Sequence, residues 1–223
     1  MNNPKLDGDF GIVSIVKNTD GMYIGNLVEY FKIIVNHARN LRNPYHNFRH
    51  MFYVLWTCHD ACLYYMANGQ MSGRDARNLL VAALFHDFDH SGRTGEDDLE
   101  ITRAVRSFTK HCEGLDQRPY FADIVAIIVA TKYPYKTPSS ELSLSCQIIR
   151  DADASQGLDK SWIQQIVFGL GEEINLSPYK MLNKHADFLS KLTFTTEWAR
   201  EIFDEAMIAE RLAEVRSMLI MLD

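Results

Sequence analysis

The chain has 223 residues, 47% of them apolar and 23% charged, with a formal net charge of −6. That length and composition suit one soluble globular domain with a substantial core. The acidic balance argues against sequence-independent nucleic-acid binding, which needs a basic face, and no apolar run reaches the ~18 residues that a bilayer span requires.

The helical period dominates from the first third of the chain. Leu27, Phe31, Ile34, Val35, Ala38 and Leu41 recur at spacings of three and four. Asn43-Pro44 then reads as a helix start, with Asn as cap and Pro in the first turn. That helix runs through Phe48, Phe52 and Leu55 to about Met66, and Asn68-Gly69 ends it. Ser72 caps the next, which carries the apolar run Leu79 to Phe85. A Ser91–Gly95 loop leads to a helix whose first turn holds Glu96, Asp97 and Asp98, acids that suit the positive end of the macrodipole. Phe121–Ala130 is apolar and β-branched, and its period alone does not separate helix from strand; its helical surroundings favour helix. After a loop at 133–140, Leu142–Asp153, Lys160–Ile174, Tyr179–Leu192 and Thr196–Leu222 read as further helices. The class is therefore all-α, with one compact domain over 1–223 and a motif-bearing core at about 27–198.

Cys58, Cys62, Cys112 and Cys146 form no CxxC pair, and Cys58 and Cys62 read as small hydrophobes one turn apart. With the polar stretch Met1–Phe10, which does not read as a signal peptide, they favour a reduced, cytoplasmic setting.

Four short pieces carry chemistry, the last of them Tyr179–Phe188. His86-Asp87-Phe88-Asp89-His90 directly follows the Leu79–Phe85 core run, so an imidazole and a carboxylate are placed at a buried helix end. Mixed nitrogen and oxygen ligation suits Zn, Fe, Mn, Co or Ni. His90 lies one helical turn beyond His86, so it faces the same side. In Tyr45-His46-Asn47-Phe48-Arg49-His50 the two histidines have the same spacing, and Tyr45 and Asn47 can hydrogen-bond an imidazole. Asp151-Ala152-Asp153 follows the apolar residues Leu144 to Ile149.

The order His, His-Asp, Asp resembles the HD superfamily of metal-dependent phosphohydrolases. Tyr45–His50 and His86–Gly92 sharpen the resemblance toward the class I cyclic-nucleotide phosphodiesterases, strongly over about Leu27–Gln156 and more weakly to Trp198. The resemblance implies an all-helical fold and two divalent ions. The first, one of the metals above, would be held by His50, His86, Asp87 and Asp153, with Asp151 as the alternative to Asp153. The second, Mg or Mn, would be bridged by Asp87 and otherwise held by waters that His90 orders. His46 would be the general acid, and Tyr45, His185, Phe188 and Lys132 would lie toward the substrate.

The match departs from the family at three places. His185 stands where the family has a glutamine before its base-stacking phenylalanine, here Phe188; a histidine lacks the amide's paired donor and acceptor. Lys132 replaces an acidic residue. Residues 92–100 carry extra acid, with Glu100 or Asp97 a candidate for the second-metal waters and a solvated helix start the alternative for both. His37 and His59 read as surface or packing residues. His111 alone lies between His90 and Asp153, too few for a di-iron oxygenase. Three functions compete: hydrolysis of a small-nucleotide phosphodiester, 3′,5′-cyclic first; a nucleotide phosphomonoesterase, with Lys132, Arg150, Lys180 and Lys184 as candidate phosphate partners; and an inactive metal-binding sensor. The expected partner is a small nucleotide, not nucleic acid or membrane. The apolar last helix, packing on the core or on a second subunit, leaves a homodimer open.

Overall fold

The computed structural model describes residues 11–93, 97–115 and 118–222, without the side chains of Asp97 and Arg118. The expectations for Met1–Phe10, Thr94–Glu96 and the Asp97 side chain fall outside the described residues. Every helix or strand assigned among them is helical, as expected of an all-α protein. In chain order these are α1 (Ile12–Lys17), α2 (Val28–His37), α3 (Phe48–Ala67), α4 (Gly73–Phe85), α5 (Asp97–Cys112), α6 (Arg118–Ala130) and α7 (Leu144–Ala154). A wide-turn π segment, Ile163–Leu170, runs into the single turn α8 (Gly171–Glu173). Then come α9 (Pro178–Leu189), α10 (Glu197–Ile202) and α11 (Glu205–Leu222).

The centre of the fold is α4. Ser72 and Asp75 cap it reciprocally, and every residue from Leu79 to Phe85 is fully buried. A helix that is apolar on all sides belongs inside a bundle; α2, α3, α5, α6 and α7 all pack on it, α3 most extensively. Each leucine, valine or phenylalanine among those α4 residues contributes about 1.5–3 kcal/mol before the cost of chain ordering. Cys58 and Cys62 face this core from α3 and are fully buried, as small hydrophobes. No helix among the described residues is long and apolar enough to cross a membrane.

Two boundaries differ from expectation in ways that matter for the site. Asn43-Pro44 does not start α3. Asn47 does: its side-chain oxygen accepts from the main-chain N–H groups of Arg49 and His50 at 2.8 and 3.4 Å. An Asn cap needs extended backbone and free N–H groups two and three residues on, and Asn47 has both. His46 therefore sits in the entry loop, not one helical turn from His50. Similarly, α4 stops at Phe85, and Asp89 takes a left-handed φ of 64°. The turn carries His90 off the helix, so the expected one-turn relation to His86 does not hold. The last expected helix is also broken, at Phe203-Asp204, where the Asp204 carboxylate caps α11 through the Met207 N–H at 2.8 Å.

Candidate metal centre

The start of α3, the end of α4 and the end of α7 meet at one point. His50 Nε2 lies 3.1 Å from Asp87 Oδ2, 3.1 Å from Asp153 Oδ1 and 3.2 Å from His86 Nε2. His86 Nε2 is 3.2 Å from Asp87 Oδ2. Both histidines are buried, and Asp87 Oδ2 is a buried oxygen with no hydrogen-bond donor.

Hydrogen bonds on the far side of each ring set what it presents. His50 Nδ1–H donates to the Gln156 amide oxygen, and His86 Nδ1–H donates to the Ala83 carbonyl at 2.9 Å. Both rings therefore turn an Nε2 lone pair inward, the usual arrangement of metal-ligating histidines. Two lone pairs and two carboxylates converging within about 3 Å repel one another unless a positive charge lies among them. The electrostatics show the same demand. Burial disfavours the His50 imidazolium, yet the adjoining carboxylates of Asp153 and Asp87 hold its pKa up at about 10. Burial likewise opposes charge on Asp87, but His86 and His46 keep its carboxyl well below the usual range. The orphaned oxygen, the tautomers and the N₂O₂ donor set all fit a divalent transition metal.

Asp151 and Asp153 are now separated. Asp151 turns away from the cluster and accepts from the main-chain N–H groups of Thr195 (3.0 Å) and Thr196 (2.7 Å), tying α7 to the start of α10. Asp153 is the one that reaches His50.

Beside the cluster lies a second group, His46, His90 and Glu173. The His46 and His90 rings stack at 3.7 Å. Glu173 was not singled out from the sequence. Its buried carboxylate accepts from the main-chain N–H groups of Tyr45 and His46 at 2.7 and 2.9 Å, and its other oxygen lies 2.6 Å from His46 Nδ1. The partial signal was an acidic pair, Glu172-Glu173, closing an apolar helical run. Gly169 makes the contact possible: a Cβ there would stand 2.7 Å from the Pro44 carbonyl oxygen. Only glycine lets the wide-turn helix lie on the loop and bring Glu173 beneath it.

This second group is three ligand atoms close together, but it is not wired as the first is. The Gly92 N–H donates to His90 Nδ1 at 3.1 Å. Neutral His90 therefore carries its proton on Nε2 and presents a donor, not a lone pair. Burial and then the neighbouring His46 push its pKa down, so it stays neutral. His46 has the opposite arrangement, with its Nδ1–H donated to a carboxylate.

The remaining expected site residues fall in different places. The Tyr45 ring packs on His46 and His50 with centroids 4.7 and 4.8 Å away, and burial and then Asp153 hold its phenol protonated. Phe188 is partly buried. His185, expected toward the substrate, is 2% exposed, stacks on Trp162 and donates to the Gly157 carbonyl at 3.2 Å. It is placed as a core residue because an aromatic ring with one satisfied N–H fits an apolar niche. Lys132 is ion-paired with Asp98 at the start of α5. Glu100 is taken up by Ser91, whose N–H and hydroxyl donate at 2.8 and 2.6 Å. His37 and His111 stack on each other at 4.5 Å, and His59 is buried against Asp20.

Fold and centre together define an all-helical protein with a histidine–aspartate centre able to hold a metal. Residues 45–100 match the family model for 3′5′-cyclic nucleotide phosphodiesterase, a segment that includes Tyr45, His46, His50, His86, Asp87 and His90. Over that stretch the resemblance read from the motifs holds: the segment is similar to the class I phosphodiesterases. Asp153 and Glu173 lie outside the matched segment and enter the centre through the fold. No curated protein matches the chain.

Proposed function

We propose that this protein hydrolyses a phosphodiester in a small nucleotide, opening a 3′,5′-cyclic nucleotide to its 5′-monophosphate. The observation that carries the reading is the 2.6 Å contact between His46 and Glu173 beside the metal-capable cluster. A metal centre alone serves many hydrolases, whereas an alkoxide leaving group also needs a proton donor.

His50, His86, Asp87 and Asp153 would hold the first ion, and Asp87 would share a second, Mg or Mn. Divalent ions there supply Lewis-acid activation of water and offset charge on the phosphoryl oxygens. The chain's own residues do the rest. His46, oriented by Glu173, delivers a proton from Nε2 to the departing oxygen, help worth ~10²–10⁴-fold. His90 offers its Nε2–H to ordered water or to a phosphoryl oxygen. Tyr45 walls the acid and the metal ligand from solvent, and Phe188 is the candidate surface for a base. His185 and Lys132, as placed, have other partners and are not assigned to substrate.

The phosphomonoesterase alternative needs extra positive charge for a dianion, and of its four candidate cations two have other partners, while Lys180 and Lys184 are exposed on α9. Arg150 is committed to the carbonyls of Ala130 and Thr137 at 2.6 and 2.9 Å, and Lys132 to Asp98.

The test is ³¹P NMR of the Mn²⁺- or Mg²⁺-loaded protein with 3′,5′-cyclic AMP, 3′,5′-cyclic GMP and their 5′-monophosphates. Conversion of cyclic compounds to 5′-monophosphates that then persist is the expected result. Release of inorganic phosphate from the monophosphates alone would replace this reading with the monoesterase. Inertness toward all four would favour a sensor.

A further inference from the structure

Asn40, in the loop between α2 and α3, is 1% exposed and lies between the two chemical groups. Its side-chain N–H groups donate to the His46 carbonyl at 2.9 Å and to the Asp87 carbonyl at 2.8 Å. Its oxygen accepts from the Asp89 N–H at 3.2 Å. Next to it the Arg39 N–H donates to Asp89 Oδ1 at 2.8 Å, and Ser107 holds Asp89 Oδ2 at 2.7 Å. One amide therefore spends two donors and one acceptor on the backbones of three residues, His46, Asp87 and Asp89.

These contacts are to backbone; together with the Asn43 side chain, which donates to the His90 carbonyl at 2.9 Å, and the His46–His90 ring stack, they join the loop to the turn. His46 sits in a loop that begins beyond α2, and Asp87 in the turn that ends α4. Neither segment is helical, so no intrahelical hydrogen bonds fix its position. A displacement of about 1 Å at such a point can cost ~10²-fold in rate.

We infer that Asn40 is a positioning residue that sets the separation between the His46 proton donor and the Asp87 end of the metal centre. The inference rests on the phosphodiesterase reading for its kinetic consequence, though not for its geometric one. Asn40→Ala takes the side-chain donor from the His46 carbonyl and from the Asp87 carbonyl, which keeps only the His90 N–H at 3.0 Å, and lets the acid loop drift from the turn. Asn40→Ser, which retains one donor, is expected to fall between wild type and Ala.

The test combines two esters and one spectrum. With a cyclic nucleotide, whose alkoxide leaving group needs the acid, Asn40→Ala is expected to lower kcat ~10–10²-fold at unchanged metal content. With bis(p-nitrophenyl) phosphate, whose leaving group departs without a proton, the loss is expected to stay within about threefold. Equal losses on both esters, or none, overturn the inference. Long-range ¹H–¹⁵N spectra of the imidazoles supply the second arm: the His46 signals should shift in Asn40→Ala while those of His50 and His86 hold. An unmoved His46 signal overturns the inference even if the wild-type protein turns over neither ester, a result that would separately overturn the phosphodiesterase reading. Should Asn40→Ala fail to fold, Asn40→Ser carries both arms with the same criteria.

Discussion

His46 Nδ1 and Glu173 Oε2 lie 2.6 Å apart although 127 residues separate them in sequence. The carboxylate is buried, and the bond from His46 outweighs that burial to keep its pKa below the usual value. It is therefore ionised and fixes the tautomer of the ring above it. Glu173→Gln replaces one oxygen with an NH₂ group that cannot accept from Nδ1–H. We expect kcat to fall ~10²-fold or more, within the range of an acid's whole contribution, with the metal content per chain unchanged. Steady-state kinetics beside atomic absorption checks both halves. His46→Ala should give a similar loss, and the double variant little more, because the two residues act as one unit.

This pair also marks where sequence reading stopped. The all-α class and the apolar run of α4 followed from periodicity, which local spacing determines, whereas the grouping of His50, His86 and Asp87 followed from the resemblance of the motifs. Spacing misplaced His46 and His90, since four residues mean one turn only inside a helix, and Asn47 and the left-handed Asp89 end helical geometry at both places. Glu173 was missed because its partial signal, an acidic pair closing an apolar run, reads equally as a solvated helix end. His185 reads as a ligand-facing polar residue in the sequence, yet one satisfied N–H makes it an acceptable core ring.

Asp151 and Asp153 give a paired test. Asp153 reaches His50 Nε2 at 3.1 Å, while Asp151 accepts main-chain bonds from Thr195 and Thr196. Asp153→Asn should weaken metal binding strongly while changing the apo-protein melting temperature little. Asp151→Asn should retain metal and lose stability, on the order of 1–3 kcal/mol for a buried hydrogen-bonded charge. Metal titration and thermal unfolding of the two variants separate the roles, and the reverse pattern would exchange them.

Stability should depend on pH through His185. Burial is the main cause of its pKa being pushed down to about 4 in the folded protein, against about 6.5 in an unfolded chain. Between those values the unfolded state binds the extra proton, so stability falls as pH drops from about 6.5 toward 4. At pH 5 the contribution is about 2 kcal/mol relative to pH 7.5. Urea unfolding at the two pH values should show wild type losing about that much more than His185→Gln, whose amide retains a donor for the Gly157 carbonyl. Equal losses would mean that His185 titrates normally in the fold.

Gly169→Ala tests how the second group is assembled. In an ordinary helix this change stabilises by about 1 kcal/mol, since alanine loses less backbone freedom. Here the added Cβ would stand 2.7 Å from the Pro44 carbonyl oxygen, closer than such atoms approach. The neighbour is backbone in the loop that carries Tyr45 and His46, so it cannot swing aside as a flexible side chain would. Relief must come from moving the helix off the loop, which withdraws Glu173 from His46 and from the two N–H groups it satisfies. The sign therefore reverses. Gly169→Ala should lower the melting temperature and lower kcat in the same direction as Glu173→Gln, with His50, His86, Asp87 and Asp153 still binding metal. Gain of stability with full turnover would mean that the helix has room to accept a methyl group, and that close approach to Pro44 does not set the position of Glu173.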